Sequence, residues 1–153
     1  MLYAIVLTIH SWLRWVVLLA GLAAYMRAQV GASRRSPWTP GDDRAGLWFS
    51  ILLDVQVLVG LVLYIFLSPF THAAFGNLGD AMRNSGLRFW AVEHVTGMII
   101  AIGLVHIGRS RVRKADERRR HRVASIFYGL ALVAMAISIP WPGMVAGRPL
   151  LRW

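Results

Sequence analysis

The sequence predicts an all-α fold, a bundle of four transmembrane helices that forms a single domain over residues 1–153. Three observations support this prediction. Hydrophobic residues make up 57% of the chain. They are concentrated in four runs, each close to the roughly 20 residues that a helix needs to cross a bilayer. The basic residues cluster beside the ends of these runs, as they do next to membrane helices.

The four predicted helices have recognisable ends. They cover about residues 3–25, 46–67, 89–109 and 123–140. The first is expected to end at Arg27, and the second has Asp42 or Asp43 as its N-cap. The third runs into a basic loop at residues 109–122. The fourth stops at Pro140, because proline lacks the backbone N–H that a continuing helix needs.

The charge distribution predicts the orientation of the bundle. Most of the 17 Lys and Arg residues lie in two segments, one between the first and second helices and one between the third and fourth. By the positive-inside rule, these segments face the cytoplasm and both termini lie on the outer, periplasmic side of a bacterial inner membrane. The net charge of +10 therefore indicates contact with membrane lipid and not with nucleic acid.

The absence of cysteine from the sequence restricts the redox chemistry. It excludes disulfides, thiolate metal sites, iron–sulfur clusters and covalently attached haem. A metal centre in this chain therefore depends on histidine and carboxylate ligands.

Charged side chains inside the apolar runs predict a polar interior. Arg14 lies near the middle of the first run, and Asp54 and Glu93 lie within two others. A charge at that depth costs at least about 3 kcal/mol unless the protein compensates it. Either acid is a candidate partner for Arg14, and Gln56 lies deep enough to complete a network. The network is compatible with a structural ion pair, a quinone head-group site, a proton path or a clamp on a metal-ligating histidine.

Two histidines are predicted to lie at one depth. His10 and His94 are each roughly 8–10 Å below the periplasmic ends of the first and third helices, which run in the same direction. If these helices are diagonal neighbours in the bundle, both imidazoles face one central cavity. That arrangement suits the two axial ligands of a single b-type haem. The alternative is a polar packing network, since intramembrane histidines also hydrogen-bond to neighbouring helices.

Further residues fit the haem hypothesis. Gly97 and Ala101 share the His94 face of the third helix and would make room for the macrocycle. The propionates would pair with cations, for which the candidates are Arg88, Arg148 and Arg14. The other histidines are expected to have no such role: His106 is interpreted as a lone interfacial residue, and His72 and His121 as solvated.

Several stretches together resemble a group of small four-helix bacterial membrane proteins labelled cytochrome b-like. The stretches are His10-Ser11-Trp12-Leu13-Arg14-Trp15, Gln56 with Gly60, Arg88-Phe89 through Glu93-His94, Ser138 to Pro142 and Gly147-Arg148-Pro149. The resemblance covers nearly the whole chain and implies His10 and His94 as haem-ligand candidates. The chain departs from the group at Asp54, where relatives often have a histidine.

The function predicted from the sequence is electron transfer through one b-type haem near the periplasmic face. The haem would exchange single electrons with a quinol or a periplasmic cytochrome. At this size the protein is expected to work with other membrane subunits in a respiratory or photosynthetic complex. Two alternatives stay open, namely a cofactor-free accessory subunit of such a complex and a small proton- or ion-translocating protein.

Overall fold

A computed structural model describes residues 1–151, which are helical throughout their regular structure and contain no β-strand. The α-helices are α1 (Leu2–Arg34), α2 (Pro40–Val62), α3 (Pro69–Gly76), α4 (Leu78–Arg83), α5 (Ser85–Arg88), α6 (His94–Lys114) and α7 (Glu117–Ser138). A π-helical turn extends α2 over Leu63–Leu67, and a second one over Phe89–Glu93 precedes α6.

Four segments are long and apolar enough to cross a membrane. They are Leu2–Arg34, Pro40–Leu67, Ser85–Lys114 and Glu117–Ser138. Helices suit this environment because they satisfy their own backbone hydrogen bonds where no water is present. The prediction of an all-α chain with four long apolar helices is confirmed, and this is the make-up of a multi-pass membrane protein.

The long helices extend beyond their predicted ends. α1 continues past Arg27 to Arg34, and α6 continues to Lys114. α7 begins at Glu117, so only two residues of the predicted basic loop at 109–122 link the helices. The physical reason is that arginine, lysine and glutamate are good helix formers. A basic segment therefore stays helical after it has left the apolar part of the span.

The start of α2 corrects the predicted N-cap. Thr39, and neither Asp42 nor Asp43, caps the helix, with Pro40 in the first helical position. The Thr39 hydroxyl accepts from the backbone N–H of Asp42 at 3.3 Å, and the Asp42 carboxylate accepts from the backbone N–H of Thr39 at 2.9 Å. This reciprocal capping box satisfies donors that the first turn would otherwise leave unpaired. An ion pair of 3.0 Å from Arg27 to Asp42 then fastens the end of α1 to the start of α2.

Each long helix packs against two neighbours, so the four form a ring. α1 contacts α2 and α7, and α6 contacts the same two helices. α1 and α6 therefore lie diagonally, as the haem hypothesis requires. The fully buried side chains Val17, Phe49, Leu53 and Val105 fill the centre. Glycine permits one of the closest approaches, since a Cβ at Gly21 would lie 2.7 Å from the Phe49 ring.

The two ends of the bundle differ in structure. We call the end where α1 and α6 begin the cavity end, and the opposite one the basic end. The short helices α3 to α5 cover the cavity end, together with the tail formed by residues 139–151. The carbonyl oxygen of Leu150 accepts from Arg14 Nη2 at 2.8 Å and from Trp15 Nε1 at 3.0 Å. These bonds hold the tail against α1.

Candidate functional site

A cavity of about 180 Å³ lies at the cavity end between α1, α2 and α6. Its wall is mostly apolar and aromatic, and its polar groups come from His10, Gln56, His94 and Arg148 among others. A smaller space of about 50 Å³ shares these four residues and adds Arg14. A concave apolar pocket with a few convergent polar groups is the usual form of a small-molecule or cofactor site.

Both π-helical turns border this cavity. Tyr64 from the first turn and Trp90 from the second line its wall, and His94 directly follows the second turn. The Tyr64 hydroxyl donates to the backbone oxygen of Ala91 at 2.7 Å, which ties the two turns together. Single π-helical turns inside α-helices are frequent at functional sites. Their pairing here singles out this end of the bundle.

The structure brings His10 and His94 together in the cavity wall. Their ring centroids are 6.4 Å apart and their planes are inclined by 76°. Two imidazoles that ligate one metal ion from opposite sides have centroids about 6 Å apart, because each nitrogen–metal bond is about 2 Å long. The observed separation would therefore let the two imidazoles hold one metal ion between them.

The ring of His94 is held in one tautomer by α7. Its Nδ1 lies 2.7 Å from the carbonyl oxygen of Ser138. Since a carbonyl oxygen can only accept, Nδ1 carries the ring proton and Nε2 keeps its lone pair. The rings of Phe89 and Trp90 pack at 5.9 and 5.7 Å from the imidazole and fix its orientation. A histidine anchored through one nitrogen in this way is prepared to bind a metal through the other.

The ring of His10 is held by α2. The Gln56 amide donates to the His10 backbone oxygen at 3.1 Å, and its nitrogen lies 3.2 Å from His10 Nε2. Gly60 makes room for the ring, since a Cβ there would lie 2.9 Å from His10 Cε1. His10 Nδ1 and Gln56 Oε1 are both buried and have no partner among the described residues. A buried polar atom without a partner costs about 1–3 kcal/mol, which points to a ligand.

The two imidazoles suit a b-type haem by residue type and position, but the proton of His10 does not lie where ligation would need it. With Gln56 donating to Nε2, the His10 proton resides on Nδ1, whereas a ligating Nδ1 needs its lone pair. His10 Nδ1 would hold the iron only with the Gln56 amide turned so that Oε1 accepts from a protonated Nε2, which gives up the bond from Gln56 to the His10 carbonyl. Arg14 and Arg148 stand in the wall of the smaller space, where cations suit propionates. The Arg148 guanidinium lies 4.6 Å from the Phe70 ring centroid and 5.0 Å from that of Trp90.

The space fits the macrocycle less closely than the donors fit the metal. Sites that enclose a ligand of cofactor size measure roughly 300–1,000 Å³, and this cavity is about 180 Å³. The walls must therefore part to admit a porphyrin. Gly97 and Ala101 do not supply the room expected of them, because neither lines the cavity. A Cβ at Gly97 would collide with Ser138 of α7, and Ala101 is fully buried in the core.

The charged residues have partners other than those expected. Glu93 pairs with Arg88 at 2.7 Å on the half-exposed surface, so Arg88 does not line the cavity. Asp54 contacts His106 at 2.7 Å. Among the described residues no ion pair joins Arg14 to either acid. Arg14 donates instead to the backbone oxygen of Leu150 in the tail. The tail was not recognisable as a partner, because its bond is made by a backbone carbonyl.

Two further histidine predictions are wrong. His106 is not a lone interfacial residue, since it contacts Asp54. His121 is buried and not solvated: its ring packs 4.9 Å from that of Trp38 and occupies the space that a side chain at Gly31 would need. His72 is exposed, as expected, with its Nε2 lying 3.2 Å from the backbone oxygen of Ile65.

Sequence reasoning placed Gln56 in a polar network with the buried charges, but did not assign it, Gly60 or the Ser138 carbonyl to an imidazole. Gly60 follows Gln56 by four residues, which places both on one face of α2, and this spacing was a readable signal. The Ser138 carbonyl carries no signal in the sequence, because every residue offers the same backbone acceptor whatever its side chain.

Compared with known proteins, the chain matches no family model, no curated protein and no solved structure.

Proposed function

We propose that the protein is a membrane electron-transfer protein whose redox centre is a single b-type haem held by His10 and His94. The observation that carries this proposal is the placement of the two imidazoles. They come from diagonal helices, face one apolar cavity and have centroids 6.4 Å apart. The resemblance to cytochrome b-like proteins points to the same pair.

A porphyrin would complete the ligand set that the two histidines begin. Within residues 1–151 no group of three or more His, Asp or Glu side chains could hold a metal ion. Two histidines alone do not complete the coordination of a bare ion, whereas a porphyrin supplies the remaining ligands. When bound, the haem supplies a centre for one-electron oxidation and reduction.

The surrounding residues prepare the two ligands. Ser138 holds the proton of His94 on Nδ1, and Gln56 would hold that of His10 on Nε2 once its amide presented Oε1 to that atom. Such partners orient a ligating imidazole and raise its basicity. The mostly apolar and aromatic wall disfavours bound water, which would favour ligation of the iron by protein nitrogen. Arg14 and Arg148 place positive charge where anionic propionates would be neutralised.

The proposed setting is the bacterial inner membrane, with the cavity end facing the periplasm. The division of Lys and Arg residues between the two ends of the bundle supports that orientation. An electron carrier at this depth would exchange electrons with a quinol or a periplasmic cytochrome. It would do so as a subunit of a larger respiratory or photosynthetic assembly.

Histidine variants test the ligand assignment. His10→Ala and His94→Ala are each expected to abolish haem binding or to convert the spectrum from low spin to high spin. His106→Ala is the matched control, because His106 lies on the same helix as His94 but outside the cavity. A normal low-spin spectrum in both of the first two variants would refute the assignment.

One specific observation favours a second function, namely the binding of a quinol or quinone head group in the same cavity. In the structure His10 presents a proton on Nδ1 and His94 presents a lone pair on Nε2. A quinol ring could engage both through its hydroxyls, one accepting from His10 Nδ1 and one donating to His94 Nε2. The volume of about 180 Å³ suits one ring better than a macrocycle. Purified protein that contains quinone and shows no haem spectrum would favour this function.

A further inference from the structure

An ionisable pair lies on the outside of the bundle, within two of the membrane spans. Asp54 is near the midpoint of Pro40–Leu67, and its Oδ1 lies 2.7 Å from His106 Nε2 of α6. The side chains are 38% and 53% exposed. The cavity end does not use this pair, because neither residue lines the cavity.

Such a pair is poorly placed against lipid. Ionisable groups within membrane helices almost always face the interior of a bundle or a water-filled space, because hydrocarbon does not solvate them. Two of their polar atoms, Asp54 Oδ2 and His106 Nδ1, make no hydrogen bond with any described residue. Against hydrocarbon, a group outside the described residues would have to cover them.

The surface beside the pair is shaped to receive another helix. Gly103 lies about one turn before His106, and a Cβ built on it would have no neighbour within 4 Å. Other glycines of the long helices have a side chain packed over them, as Gly21 has Phe49 and Gly108 has Phe127. An uncovered glycine in a membrane helix permits close approach by a partner helix.

We propose that the surface around Asp54, Gly103 and His106, here called the α2–α6 face, is the interface of a homodimer. The pair carries no net charge either as a carboxylate with an imidazolium or as a carboxyl with a neutral imidazole, and it is self-complementary in both states. Whether the shared proton is on the carboxyl or on the imidazole, His106 Nδ1 is a donor and Asp54 Oδ2 is an acceptor. Each copy therefore offers what the other lacks, as a two-fold symmetric interface requires.

Membrane geometry favours this occupant. Two copies of one chain inserted in the same direction are related by a two-fold axis along the membrane normal. Such an axis keeps every residue at its own depth, so the pair of one copy meets the pair of the other. A different subunit would need its own polar group at the same depth.

Cysteine cross-linking in native membranes tests the proposal. The chain contains no cysteine, so an introduced thiol is the only one that can react. Gly103→Cys is expected to form a disulfide-linked dimer on oxidation. Leu19→Cys is the matched control, because Leu19 is 66% exposed on α1, which lies diagonally from α6. It is expected to remain monomeric under the same treatment.

Asp54→Leu/His106→Leu in the Gly103→Cys background tests the role of the pair. The double variant keeps an apolar surface suited to lipid and is expected to reduce the cross-linked fraction to that of the Leu19→Cys control. The mass of the wild-type protein in lipid nanodiscs provides a measurement that needs no variant, and two chains are expected per particle. A single chain per particle, equal cross-linking of the two cysteine variants, or cross-linking of Gly103→Cys to a different polypeptide would each overturn the proposal.

Discussion

Replacement of Gln56 by leucine is the most informative single perturbation of the proposed haem site. Gln56 is 6% exposed. Its amide is the described group that hydrogen-bonds to His10 from α2, with contacts of 3.1 Å to the backbone oxygen and 3.2 Å to Nε2. Leucine has a similar length and no polar atom. The variant therefore removes the anchor of one proposed ligand while it keeps the cavity apolar.

The expected loss can be estimated from these contacts. Removal of a partner that orients a ligating histidine lowers metal affinity by about 10- to 100-fold. That factor corresponds to roughly 1.4–2.8 kcal/mol of binding free energy. The effect on folding is expected to be smaller, about 1 kcal/mol, because a neutral hydrogen bond contributes that much net. Haem affinity should therefore fall by more than stability does.

Titration of apoprotein with haem, followed by absorbance, measures the affinity. Gln29→Leu is the matched control, since Gln29 also hydrogen-bonds across helices, to Ser125, but near the basic end. Both variants lose an amide that hydrogen-bonds between helices, buried at Gln56 and exposed at Gln29, yet only Gln56→Leu should bind haem more weakly. Equal haem affinities in the two variants would refute the claim that Gln56 positions a ligand.

Three other substitutions have definite expected outcomes. Gly60→Ala places a Cβ 2.9 Å from His10 Cε1, so the ring must move; haem content should fall, as the absorbance spectrum would show. Gly97→Ala places a Cβ against Ser138. The overpacking should cost about 1–3 kcal/mol of folding free energy, measured by thermal unfolding, and the higher helix propensity of alanine should offset roughly 1 kcal/mol of that cost. Ser138→Ala should leave the haem spectrum unchanged, because the anchor of His94 is the main-chain oxygen; an altered spectrum would contradict this.

The coarse fold was predictable because membrane helices have a simple signal. Four apolar runs of sufficient length predict four helices, and lipid permits few other structures. The helix ends were less predictable, because hydropathy marks where a span leaves the apolar layer and not where the helix stops. Arg34 and Lys114 end helices that continue past their apolar parts for that reason.

The candidate site was predictable only in part. Counting residues from the helix ends was sufficient to place His10 and His94 at one depth, and the structure shows them together. The partners of Arg14 and Asp54 were not predictable, because rotation about each helix axis decides which side chains meet. Sequence spacing along one helix does not reveal how two helices are rotated relative to each other.

The remaining features that the sequence did not predict are contacts and turns of the backbone. The carbonyl groups of Ser138 and Leu150 anchor His94 and Arg14, and the peptide group is the same at every position. The two π-helical turns have no reliable sequence signature either. They become visible only as a shift in backbone hydrogen bonding, at Leu63–Leu67 and Phe89–Glu93.

The most direct test of the central claim is the dithionite-reduced minus oxidised absorbance spectrum of the purified wild-type protein, with its haem-to-chain ratio. Bis-histidine ligation by His10 and His94 predicts a sharp low-spin α-band of the b type at about one haem per chain. A featureless spectrum from folded protein that has been supplied with haem would contradict the account. The cavity would then have to serve the quinone head group, or the bundle would be an accessory subunit without a cofactor.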